Sequence, residues 1–89
     1  MIKLSEFSND RHKLLLLLYN NQITVQEDTY VSLSQQEMSK MLEFSKFKVN
    51  KLMKELKELN CVAPFNNIKG KYIVTETGKR IVELISIEV

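Results

Sequence analysis

The 89-residue chain is 44% apolar and 27% charged, which suits one small folded domain and is too little for two. Cys61 is its one cysteine and His12 its one histidine, so a single chain cannot form a disulfide, a Cys/His zinc site or a Cys-His nucleophile pair. The longest wholly apolar run, residues 14–18, is far too short to cross a bilayer. We therefore expect a single cytoplasmic domain over residues 1–89, with no cofactor, no metal and no enzymatic activity.

The net charge is +2, but the charged residues are distributed unevenly along the chain. Residues 1–43 contain 4 Lys and Arg against 6 Asp and Glu, whereas residues 44–89 contain 9 against 5. Positive charge gathered in one half of a small chain indicates an anionic partner for one of its faces.

A first helix is predicted from a cap at Ser8 or Asn9 to about Asn20 and Asn21. Its leucines, residues 14–18, cover more than one stripe of the helix, so that one stripe faces the core and another requires a partner. The β-prone run 30–33 then predicts a first strand. Ser34 and Glu37 follow with the spacing of a capping box, which predicts the start of a second, short helix.

The clearest helical period in the sequence begins at Ser45, a good N-cap residue. Apolar residues recur there at helical intervals, and Asn60 tolerates the left-handed conformation that often ends a helix. A third helix is therefore predicted from about Ser45 to Leu59. The apolar positions that define it are Val49, Leu52, Met53, Leu56 and Leu59.

Two β-prone runs, residues 61–65 and 71–74, are joined by the turn-forming residues 66–70 and predict a hairpin. Pro64 suits an edge strand of that hairpin because it has no backbone N–H. Thr75 can cap a last helix from Glu76 to about Ile87, whose apolar set is also wider than a single core-facing stripe.

The predicted order is α1-β1-α2-α3-β2-β3-α4, an α+β, mainly helical fold of the winged helix-turn-helix type. Residues 33–38, 45–52 and 56–59, and the passage 72–79 after the hairpin, resemble winged-helix regulators of the broad MarR and ArsR type. Glu43 and Asn60 stand where that family often has glycine. The resemblance implies that the third helix enters the major groove of DNA. A weaker resemblance is to winged-helix adaptors that bind centromere-like repeats in plasmid or phage segregation.

On a helical wheel, the side of the third helix opposite its apolar stripe carries Phe47, Asn50, Lys51 and Lys54. The caps of the second and third helices and the lysines of the hairpin flank this face and can reach phosphates or a minor groove. The candidate DNA-binding residues are Ser34, Gln35, Ser45, Lys46, Phe47, Lys48, Asn50, Lys51, Lys54, Lys69 and Lys71.

The lysines are expected to neutralise phosphates, whereas Asn50 has the donor and acceptor needed to pair with an adenine edge. Phe47 either packs on a thymine methyl, which would favour A·T-rich sites, or contacts the core or another protein.

The sequence thus predicts a cytoplasmic, nucleoid-associated DNA-binding protein that dimerises through helices 1 and 4 and regulates transcription. Two alternatives stay open at this point: a segregation adaptor that uses the same DNA-binding face, and a winged helix whose partner is an acidic protein.

Overall fold

The computed structural model of the chain describes residues 9–88, with side chains described over residues 10–85. Its elements are α1 (Asn9–Asn20), β1 (Gln22–Val25), β2 (Asp28–Val31), α2 (Gln35–Leu42), α3 (Lys46–Glu58), β3 (Val62–Pro64), β4 (Tyr72–Val74) and α4 (Glu76–Glu88). The α+β, mainly helical class is confirmed, and all four predicted helices are present. The predicted cap at Ser8 and the last apolar residue, Val89, lie outside the described residues.

The structure has one strand more than the predicted order. Gln22–Val25 forms β1, which pairs antiparallel with β2 in a register that joins Ile23 to Tyr30 and Thr24 to Thr29. Gln26, with a φ of 60°, makes the tight turn between these strands. The single predicted strand is therefore the second half of a hairpin, and the observed order is α1-β1-β2-α2-α3-β3-β4-α4.

The four described strands form one antiparallel sheet in the order β1-β2-β4-β3. The predicted hairpin of β3 and β4 is confirmed, with Val62 opposite Val74 and Pro64 opposite Tyr72. Pro64 lies in an edge strand as expected, because a strand inside the sheet would require its missing N–H. The hairpin extends beyond the helices as a wing.

Three leucines of α1 and the apolar stripe of α3 form the centre of the core. Leu14, Leu15 and Leu18 are fully buried, and α1 lies against α2, α3 and α4. Met38 of α2 is buried too, whereas Met41 on the same helix is 52% exposed. No helix within residues 9–88 is long and apolar enough to cross a membrane. The remaining buried apolar residues are Val31, Val49, Leu52, Met53, Leu56, Cys61, Val62, Val74, Ile81 and Val82.

The passage from β4 into α4 depends on Thr75 and Gly78. The Thr75 hydroxyl accepts a hydrogen bond from the Gly78 N–H at 3.1 Å, which is the predicted N-cap. Gly78 is fully packed, because a Cβ at this position would collide with the carbonyl oxygen of Cys61 and approach Val74 Cγ1 to 2.9 Å. The first turn of α4 therefore contacts the backbone that leaves α3.

Candidate nucleic-acid interface

The turn between α2 and α3 sets the angle of the third helix. Glu43 closes α2 in the left-handed conformation, with φ 59° and ψ 34°, and its N–H donates to the Ser39 carbonyl. The Ser39 hydroxyl donates to the Phe44 carbonyl and holds the same turn. Ser45 then caps α3 by accepting a hydrogen bond from the Lys48 N–H at 3.1 Å. The two helices thus form the predicted helix-turn-helix pair.

The outer face of α3 is exposed, as the helical wheel predicts. Phe47 is 82% exposed and does not pack on the core, so the core contact that the sequence left open is not formed. Val49 and Leu52 are buried on the opposite side and fix the rotation of the helix about its axis. The exposed residues of this face are Lys46, Phe47, Asn50, Lys51 and Lys54.

Lys48 lies at the edge of that face and is already engaged. Its ammonium is 2.8 Å from a carboxylate oxygen of Asp10 in α1 and 4.2 Å from the centre of the Phe44 ring. The hydrogen bond from Lys48 holds the pKa of Asp10 below its usual value. Within the described side chains Lys46, Lys51 and Lys54 form no ion pair, so their positive charges are more available to a ligand than that of Lys48.

The start of α2 contributes polar groups beside α3. Ser34 and Glu37 form the predicted capping box, with hydrogen bonds of 3.1 and 3.2 Å. Both cap serines, Ser34 and Ser45, accept from backbone N–H groups and keep their own O–H available to donate to a phosphate. Gln35, the first residue of α2, accepts a hydrogen bond from the side-chain amide of Asn50 at 3.3 Å.

The wing carries two of the candidate lysines. Lys69 is exposed near the wing tip, while the Lys71 ammonium lies 4.9 Å from the Tyr30 ring, which stacks on Phe65. Tight backbone turns shape this loop, and Gly70 has a φ of 83° that favours glycine.

Lys57 joins α3 to the wing, and the predicted set of contacts omits it. Its ammonium lies 5.4 Å from the centre of the Tyr72 ring. Together with Lys69 and Tyr72 it lines an open groove of about 270 Å³ between the helix and the wing. The helical wheel places Lys57 beside the exposed face, but its proximity to Tyr72 depends on where the hairpin packs. Two lysines therefore line this groove.

The described residues offer few other groups for catalysis or metal binding. Cys61 is buried, and its burial raises the pKa of the thiol, which disfavours the reactive thiolate. Within residues 10–85, no three His, Cys, Asp and Glu side chains come together in a group that could hold a metal ion. The described residues thus present cations and amides on the exposed face of a helix rather than in a cleft lined with titratable groups.

A helix pair joined by a tight turn and followed by a wing defines the winged helix-turn-helix class of proteins, and solved structures confirm this fold. The crystal structure of the S. aureus MepR–DNA complex superposes with a TM-score of 0.74 at 20% sequence identity, over 94% of this chain and 58% of that one. The CO-dependent transcription factor CooA from Carboxydothermus hydrogenoformans, in its imidazole-bound form, superposes with a TM-score of 0.64 at 15% identity, over 88% and 38% of the two chains. No family model and no curated protein sequence matches the chain.

The chain thus spans a little over half of the first of these proteins and well under half of the second. At such low identity the likeness concerns the fold alone. It includes the helix-turn-helix pair and the wing, because nearly the whole of this chain is superposed.

Proposed function

We propose that this protein binds double-stranded DNA in a sequence-specific manner and acts as a homodimeric transcriptional regulator. One observation carries the proposal: the outer face of α3 presents Lys46, Lys51 and Lys54 free of ion pairs with any described side chain, around the exposed polar amide of Asn50. A protruding helix of this kind fits the major groove of B-DNA, which admits an α-helix. A transcription factor and a protein solved with DNA have the same fold.

The exposed residues divide into two proposed roles. The three lysines neutralise phosphates on either side of the groove, which supplies affinity that falls as salt rises. Asn50 reads a base edge, and Phe47 contacts a thymine methyl, so that A·T-rich sites are favoured. Lys57 and Lys69 add a phosphate contact in the groove beside the wing.

Dimerisation through α1 and α4 is the second part of the proposal. Leu84 on α4 is 49% exposed, while Leu16 and Leu17 on α1 are only partly buried, although their neighbours Leu15 and Leu18 are fully buried. These helices contact each other, so their outer surfaces can form one continuous apolar patch for a second copy. A two-fold axis there would present two α3 helices to successive turns of the major groove.

The dependence of affinity on salt tests the DNA-binding part. Binding sites are selected from a random duplex library with the purified chain, and the dissociation constant of the best site is measured between 50 and 200 mM salt. Each phosphate contact contributes about 0.9 to the slope of log K against log salt. Because both subunits of the proposed dimer contact the site, Lys51→Ala and Lys54→Ala should each lower the slope by about 1.8, while Lys13→Ala, an exposed lysine on α1, should leave it unchanged. Equal slopes for all four proteins would overturn the assignment of α3.

A winged helix that binds an acidic protein is the other candidate, and the exposure of Phe47 favours it, because aromatic side chains on a wet surface often mark protein interfaces. The same selection separates the two proposals. Enrichment of a sequence contradicts the protein-binding candidate, whereas retention of no duplex at 50 mM salt overturns DNA binding and leaves the protein-binding candidate standing.

A further inference from the structure

The first residue of α2 and the second turn of α3 are joined by one side-chain hydrogen bond. The Asn50 Nδ2 donates to Gln35 Oε1 at 3.3 Å, with Asn50 exposed and Gln35 half-buried. We infer that Gln35 is a positioning residue, which holds the amide of Asn50 in the orientation that reads an adenine. This inference rests on the proposed DNA-binding function and deepens it.

The hydrogen-bonding capacity of Asn50 supports this assignment. An asparagine amide has two N–H donors and one carbonyl acceptor. One N–H is used by Gln35, so one N–H and the carbonyl oxygen are left. That is the pair an asparagine uses to accept from adenine N6 and donate to adenine N7 in the major groove.

Orientation matters because adenine and guanine differ at one group on this edge. Both present N7 as an acceptor, but adenine has an N6 donor where guanine has an O6 acceptor. If the Asn50 amide were free to flip, its oxygen and its N–H groups could exchange places, and it could form hydrogen bonds with either adenine or guanine. A held amide keeps its oxygen in one place, where it attracts the adenine donor and repels the guanine acceptor, so the contact from Gln35 is expected to increase discrimination.

Both residues lie on rigid elements, which keeps the amides in register. Gln35 follows the Ser34 cap and lies inside the turn fixed by the capping box with Glu37. Asn50 follows the fully buried Val49, whose packing fixes the rotation of α3. A shift of either helix would break a contact of 3.3 Å, so the hydrogen bond also reports on the angle between the helices.

Two substitutions separate positioning from other roles of Gln35. Gln35→Met keeps the length of the side chain but removes its acceptor. Gln35→Glu keeps the acceptor and can only accept, so it selects the same orientation of Asn50, while its negative charge weakens binding to every duplex. Asn50→Ala identifies the base pair that Asn50 contacts, because the preference for one base is lost at that pair.

The experiment selects sites from a random duplex library with the purified chain, then measures dissociation constants on the best site with each base pair replaced in turn. At the position where Asn50→Ala loses its preference, Gln35→Met should reduce discrimination of adenine over guanine by about fivefold, the size of one net hydrogen bond. Gln35→Glu should preserve that ratio. In the free proteins, Gln35→Met should also shift the NMR signals of the Asn50 side-chain amide.

Failure of the positioning role and failure of the proposed function give different results in this experiment. If the wild-type chain enriches a site but Gln35→Met keeps the full ratio, or loses affinity uniformly over all sequences, the positioning role is overturned and DNA binding stands. If the chain retains no DNA at 50 mM salt while the Asn50 amide signals still respond to Gln35→Met, the contact exists but the proposed function, and the base reading with it, is overturned.

Discussion

The guanidinium of Arg11 donates a hydrogen bond to the Glu55 carboxylate at 2.8 Å and so joins α1 to α3. The two side chains are 24% and 25% exposed, so this ion pair is only partly screened by water. The preceding residue, Asp10, makes the second link to α3 through Lys48. Two neighbouring residues of α1 therefore hold the third helix at two points, and the proposed dimer helix is coupled to the proposed recognition helix.

A double-mutant cycle on Arg11 and Glu55 should show this link. Arg11→Ala, Glu55→Ala and the double variant are unfolded in urea, and the coupling free energy is expected to be about 0.5–1 kcal/mol, as for a well-formed ion pair near the surface. The cycle cancels the other contacts of each residue. A coupling of zero would mean that the Arg11–Glu55 pair adds nothing to the packing of α1 on α3.

The same ion pairs predict a loss of stability in acid. The hydrogen bond from Arg11 lowers the pKa of Glu55, and that from Lys48 lowers the pKa of Asp10. As pH falls, the unfolded chain therefore takes up protons on these carboxylates before the folded state does. The stabilisation is full above the ordinary carboxyl pKa of about 4, and it is lost as pH falls through the lowered pKa values of the folded state. The free energy of unfolding should decrease steadily from about pH 5 to pH 2.

Glu55→Gln should flatten this pH profile, since the variant has no carboxylate to protonate at that position. Glu27→Gln is the matched control, because Glu27 is exposed near the turn between β1 and β2 and forms no ion pair with any side chain the structure describes. Chemical denaturation at several pH values measures both. Identical slopes for the two variants would contradict the role of the Arg11 pair.

The lysines of α3 should contribute unequally to DNA affinity. Lys48 is held by Asp10 and Phe44, so a phosphate would have to compete with both, whereas Lys54 forms no ion pair within residues 10–85. Lys54→Ala should lower the salt slope of binding by about 1.8, for one contact in each subunit of the dimer, and Lys48→Ala by clearly less. Anisotropy titrations between 50 and 200 mM salt give the slopes. A loss of equal size for Lys48→Ala would mean that it leaves Asp10 when DNA binds.

Much of the fold is predictable because its signals are local. The cap of α2 depends on Ser34 and Glu37, three residues apart, and the apolar stripe of α3 is visible in its helical period. Strand β1 was missed although Ile23, Thr24 and Val25 are all β-branched. It lies at the edge of the sheet with three of its four side chains exposed, so no alternation of apolar and polar residues marks it.

The candidate site also has a part that the sequence predicts and a part that it does not. A helical wheel finds the exposed face of α3, including Asn50 and Lys54, because it needs only the direction of the core. The contacts that modify this face join residues far apart in sequence, such as Arg11 with Glu55 and Lys57 with the ring of Tyr72. They depend on how helices cross and where the wing packs, which no local pattern encodes.

Gly78 should be the most sensitive small residue in the chain. A Cβ there would collide with the Cys61 carbonyl and approach a methyl of Val74 to 2.9 Å, so α4 would have to move away from the end of α3. Gly78→Ala is expected to destabilise the fold by about 1–3 kcal/mol, the usual cost of overpacking, even though alanine favours helices. Thermal unfolding measures the change. Thr77→Ala, the neighbouring position in the same turn, is the control, and a loss of stability there as large as at Gly78 would contradict this steric explanation.

The left-handed residues at the ends of α2 and α3 give the last prediction. Glu43 has a φ of 59° and Asn60 a φ of 60°. Glutamate is strained in this conformation and asparagine tolerates it better. Glu43→Gly should therefore raise the free energy of unfolding by about 0.5–1 kcal/mol, and Asn60→Gly by less. Glu43→Ala removes the same side chain without relieving the backbone, so an equal gain for alanine in urea denaturation would trace the effect to the lost carboxylate instead.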